Sequence, residues 1–136
     1  MLLEGFIVTT SLLLGIFTCF ILFHITWRYR AEKCAKYFLL LLLAAFIWSI
    51  GYFFEILLSN EELVILVSKI EYLGIVTIPV AWFSFSAAYT NRFSRIVDTK
   101  LFYLLMIIPL ITVILVSTNE YHGLIWRDKL LLYWYS

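Results

Sequence analysis

Three ionisable side chains, Glu55, Lys69 and Glu71, stand inside stretches that are otherwise apolar. Placing such a group at the centre of a membrane helix costs about 2.5–3.5 kcal/mol on insertion scales, so each needs a partner or a task. Glu55 lies about one turn before the end of the second apolar stretch, and Lys69 about two turns into the third. Across the short connection between them, the two come to similar depth. One reading is an ion pair that locks a hairpin. The other is a polar pocket, open to the outside, that binds a ligand or senses protons. A lysine at this depth can also reach outward along its own stem.

Glu71 is two positions from Lys69, so on a helix the two point to different faces. At 1.5 Å per residue it sits about 13 Å from the start of its stretch, near mid-membrane. Ser49 and Tyr52 are the hydrogen-bond partners that the sequence offers it.

The remaining chemistry-bearing residues point to no catalysis. His24 falls near the end of the first apolar stretch, where a lone histidine is an interfacial residue. His122 has no cysteine or second histidine beside it, so no metal site is expected. Cys19 lies in an apolar run and Cys34 in a basic connection, too far apart to suggest a disulfide framework; both are read as reduced thiols. Trp48, Tyr52 and Trp82 read as packing aromatics. No Ser/His/Asp set, phosphate-binding glycine loop or paired-metal motif occurs. The chain is expected to be neither an enzyme nor a cofactor carrier.

The elements that must hold these residues are membrane helices. Of 136 residues, 64% are hydrophobic and only 14% are charged. A soluble domain this small would need more polar surface. Four apolar stretches stand out, at about 5–27, 37–58, 63–89 and 101–117, near the roughly 20 residues that a spanning helix requires. The fold class is therefore all-α, with about four transmembrane helices. The first stretch has no basic flank and no small-residue cleavage site, so it reads as an anchor rather than a signal peptide. Pro79 offers no N–H to Ile75, and Pro109 none to Leu105, which makes both candidate bending points.

Charge sets the orientation. The first connection holds Arg28, Arg30, Lys33 and Lys36 against Glu32, and the third holds Arg92, Arg95 and Lys100 against Asp98. The second, Ser59 to Glu62, has two glutamates and no base. Basic loops stay inside, so the N-terminus is expected outside. Ser59 and Glu62 have the spacing of a capping box for the third helix, and Asp98 or Thr99 is a candidate cap for the fourth. The polar residues of segment 118–136, with Tyr121 and Trp126, suit an outer interface. A net charge of +1 and the lack of a basic tail give no reason to expect nucleic acid.

A series of short motifs resembles the N-terminal seven-helix sensor region of prokaryotic histidine kinases. It runs from Phe46 to Tyr52 with Glu55, from Lys69 to Gly74, and from Ile78 to Phe83. It continues from Ala88 to Arg92, from Ile108 to Thr112 and from Ser117 to Trp126. The resemblance covers nearly the whole chain and rests on the order of the motifs. It implies a multi-pass sensory module in the cytoplasmic membrane of a bacterium or archaeon, with the N-terminus outside. It also implies a cytoplasmic kinase, PAS or diguanylate cyclase module beyond the seventh helix.

Only the first four of seven helices are expected here, as one domain that is a fragment, a truncated gene product or a four-helix relative with its own role. Its expected partners are the lipid bilayer, the remaining helices and the signalling domain, with a homodimer allowed. Glu55, Lys69 and Glu71, singled out as ionisable groups within apolar stretches, are the signal-sensing candidates. The resemblance makes Asn119, His122 and Trp126 the outer-loop motif. A small oligomeric transporter or channel subunit, and a non-catalytic membrane scaffold, are the alternatives.

Overall fold

A computed structural model describes residues 2–90 and 100–125. Within them the chain is helical: α1 (Leu2–Trp27), α2 (Lys33–Leu57), α3 (Glu61–Thr90), α4 (Lys100–Ser117) and the single turn α5 (Asn119–His122). The expected boundaries of the four long helices hold to within a few residues. The largest difference is at α2, which begins at Lys33. Cys34, expected in the basic connection, therefore sits in the first turn of a helix. Both cysteines are free thiols.

Three segments are long and apolar enough to cross a bilayer, Gly5–Trp27, Lys33–Leu57 and Glu62–Thr90, with mean hydropathies of 2.4, 2.1 and 1.9. The apolar part of α4, Phe102–Ser117, is shorter; all 18 residues of α4 span about 27 Å. Phe6, Leu14, Phe17 and Phe20 on α1 are all exposed. In water such a surface would be a liability; in hydrocarbon it is ordinary solvent contact. The hydroxyls of Thr9, Thr10, Ser11 and Thr18 donate to the carbonyls of Gly5, Phe6, Ile7 and Leu14 at 2.7–2.8 Å. These four hydroxyls are thereby satisfied within their own helix, as lipid demands.

The helices pack in chain order, α1 on α2, α2 on α3 and α3 on α4, with the α2–α3 contact by far the most extensive. Three residues join α2 to α3, so the pair is an antiparallel hairpin. The cap on α3 differs from the expected one. Asn60 Oδ1 accepts the N–H groups of Glu62 at 3.0 Å and Leu63 at 3.4 Å, so Asn60, not Ser59, is the N-cap. The helix begins at Glu61, one residue later than a Ser59 cap would place it, so the capping position falls on Asn60.

Small residues bring α2 and α3 together. Ala44, Ala81, Ser84 and Ala87 are buried, and no side chain would fit at Gly74. A Cβ there would meet the Ala44 carbonyl oxygen at 2.5 Å and the Trp48 amide nitrogen at 2.7 Å. The two backbones touch at this point, as close membrane-helix contacts require. Toward the basic end, aromatic rings take over. Phe38 packs on Phe85 at 5.3 Å and Tyr37 on Phe102 at 5.6 Å, joining α2, α3 and α4.

Candidate functional site

The antiparallel register of α2 and α3 decides which polar groups meet. Phe38 lies opposite Phe85, Trp48 opposite Gly74, Gly51 opposite Glu71, and Glu55 opposite Ser68. One face of each helix therefore supplies a polar cluster near the α2–α3 turn. Ser68 Oγ donates to Glu55 Oε1 at 3.1 Å. Glu71 is 7% exposed, and its carboxyl lies beside the Glu55 carboxyl and the Trp48 indole. Gly51 makes room for it: a Cβ there would stand 3.0 Å from Glu71 Cβ.

Two carboxyls side by side repel when both are charged. The hydroxyl of Ser68 and the indole N–H of Trp48 are the donors that answer part of that repulsion. Of the expected partners for Glu71, neither Ser49 nor Tyr52 fills the place; Trp48 and Glu55 do. Trp48 thus has a polar role beyond packing.

Lys69 turns away from this cluster, as its two-residue offset from Glu71 requires. Its Nζ binds Glu120 Oε1 at 2.6 Å. The expected Glu55–Lys69 pair is therefore replaced by two separate arrangements, Glu55 with Ser68 and Glu71, and Lys69 with Glu120. The face of α3 that carries Lys69 looks toward α4 and the segment beyond it, not toward α2.

That segment is knitted by its own hydrogen bonds. Asn119 is buried, and its Oδ1 accepts the Ile125 N–H at 2.8 Å. Its carbonyl accepts the Gly123 N–H at 2.8 Å, with Gly123 in the left-handed region at φ 57°. His122 Nδ1 accepts the Leu124 N–H at 3.1 Å. Nε2 therefore carries the ring proton and donates to Thr118 Oγ1 at 3.1 Å. Thr118 Oγ1 in turn donates to the Ile114 carbonyl at 2.7 Å. Asn119 and His122, expected as an outer-loop motif, are thus the residues that shape this turn. Trp126, the rest of segment 118–136 beyond Ile125, and the candidate caps Asp98 and Thr99 lie outside the described residues.

The two prolines sit inside continuous helices, Pro79 in α3 and Pro109 in α4. Pro79 is exposed and Pro109 is buried. Pro109 lines an apolar cleft of about 370 Å³ between α3 and α4, with Leu73, Thr77 and Met106 among its walls. Among the described residues, no group of His, Cys, Asp and Glu has the arrangement of a metal site.

Sequence reasoning did not single out Glu120, Ser68, Gly51 or Asn60. Glu120 had a readable signal, since a lysine deep in an apolar helix requires an acid and Glu120 follows directly on the fourth stretch. Residues 11–135 match the family described as the N-terminal 7TM region of histidine kinase. No curated protein and no solved structure matches the chain.

Proposed function

The chain belongs to the family of N-terminal 7TM regions of histidine kinases, and we propose on that basis that it receives a signal at its outer side and relays it to a cytoplasmic output domain. In this reading the N-terminus is outside, the membrane is the cytoplasmic membrane of a bacterium or archaeon, and the basic turns face the cytoplasm. Catalysis belongs to the output domain, which lies outside these residues. Further family helices, and a second copy of the chain in a homodimer, are the proposed partners.

The observation that supports this most is the Glu71 carboxyl, buried in a lipid-facing hairpin beside Glu55. A scaffold has no need for two neighbouring acids at this depth, whereas a responsive site does. A signal acting on this cluster, or on the Lys69–Glu120 contact beside it, shifts α3 against α2 and α4. The movement then passes along α3 and α4, with Pro79 and Pro109 as points where each helix yields.

The test uses a full-length receptor that contains this region. Glu55→Gln, Lys69→Met and Glu71→Gln are introduced singly and together, and output activity is read with and without stimulus. Loss of the stimulus-dependent change in properly inserted protein is the expected result. Unaltered signalling in the triple variant would sink the proposal. Proton or ion flux through the purified chain in liposomes would replace it with a transport function.

A further inference from the structure

Residues 28–32 join α1 to α2, and the turn is wound rather than loose. The N–H groups of Arg28, Tyr29 and Arg30 donate to the carbonyls of Ile25, Thr26 and Trp27, and that of Glu32 donates to Tyr29. Arg28 and Arg30 lie on this turn, and Lys33 and Lys36 on the first turn of α2; all four are exposed. Glu32 is the single acid among them.

Arg30 is held in place. Its guanidinium lies over the Trp27 ring, 5.2 Å from the centroid, and Nη1 donates to the Trp27 carbonyl at 3.3 Å. Trp27 stacks in turn on Phe23, with centroids 5.6 Å apart, and the Tyr29 ring stands open to its surroundings. Cations and amphipathic rings thus share the level at which two bilayer-length helices end.

We propose that this turn is a docking surface for anionic phospholipid headgroups. Arg28, Lys33 and Lys36 reach headgroup phosphates, Arg30 braces the turn against Trp27, and Trp27 and Tyr29 seat it at the interface. The charge calls for an anion, and the position names which one. Headgroups are the anions concentrated where apolar helices leave hydrocarbon, and the two rings have no comparable use toward an ion in free solution. The inference is independent of the signalling function and holds on whichever side the turn faces.

The experiment reconstitutes the whole chain in bilayer discs of phosphatidylcholine, with and without 30% phosphatidylglycerol, and follows thermal unfolding. Phosphatidylglycerol is expected to raise Tm by several degrees at low salt, and 0.5 M NaCl to remove most of the gain. In an Arg28→Gln, Lys33→Gln, Lys36→Gln variant the gain is expected to fall at least threefold, while Lys33→Arg with Lys36→Arg keeps it. An undiminished gain in the triple variant, or none in the wild type, overturns the proposal. So does an equal gain from inorganic phosphate in phosphatidylcholine discs, which would assign the surface to a soluble anion. Because loss of the cations can also disturb insertion, the wild-type chain is read separately by native mass spectrometry from an equimolar mixture of the two lipids. Retained phosphatidylglycerol is expected in severalfold excess, and equal retention overturns the proposal.

Discussion

Lys69 Nζ lies 2.6 Å from Glu120 Oε1, a contact between residues 51 positions apart that ties the turn after α4 to the flank of α3. Lys69 is the more enclosed partner, with 21% of its side chain exposed against 68% for Glu120. The two ends of this bond are therefore not equivalent. Removing the exposed acid leaves a cation in an apolar wall; removing the cation leaves an acid that water can solvate.

Glu120→Gln is accordingly expected to lower Tm in a bilayer more than Lys69→Met does. The double variant should recover much of the loss. A thermal double-mutant cycle measures this, with a coupling of about 0.5–1 kcal/mol if the pair behaves as a half-exposed one. Additive losses would mean that the contact contributes nothing.

Gly74→Ala is expected to cost at least about 2 kcal/mol, because the new methyl meets backbone atoms of α2 that have no rotamer to escape into. Gly51→Ala is expected to cost less, since what it meets first is the Glu71 side chain. Unfolding of the two variants under identical conditions gives the order; the reverse order would refute this account of the hairpin.

Asn60→Ala should lose about 1 kcal/mol through the missing cap on α3, whereas Ser59→Ala should be near neutral. The comparison needs only two variants and a denaturation curve. Equal effects would mean that Asn60 does not hold the helix end.

In the turn beyond α4, Asn119→Ala removes the acceptor of the Ile125 N–H, and His122→Ala that of the Leu124 N–H. Each is expected to speed hydrogen exchange at its own amide by about tenfold, the equivalent of about 1.4 kcal/mol. Unchanged exchange at both would show that the turn is held by other contacts.

The four long helices were legible in the sequence because a 17-residue or longer apolar run has few other uses. The partners of the buried charges were not. Helical spacing said that Lys69 and Glu71 face apart, and they do. It did not say which neighbour each face would meet, because that depends on the register of α2 against α3. The register is set by small residues at Gly51 and Gly74, whose importance shows only when the opposing helix is in place. Depth alone made Glu55 and Lys69 look like partners; rotation about the α3 axis separates them. The Asn60 cap was missed for a related reason. Ser59 and Asn60 are adjacent residues that can both cap a helix, and where the backbone of α3 first turns decides which side chain reaches the free N–H groups.

The contact at Gly74 also limits how the hairpin moves. Two rods whose backbones already touch at one point cannot approach further there; they can only rock or slide about it. The acids lie on one side of that point and the Phe38–Phe85 stack on the other. Gly74 is then a fulcrum, and opening the hairpin at its acidic end closes it at its aromatic end.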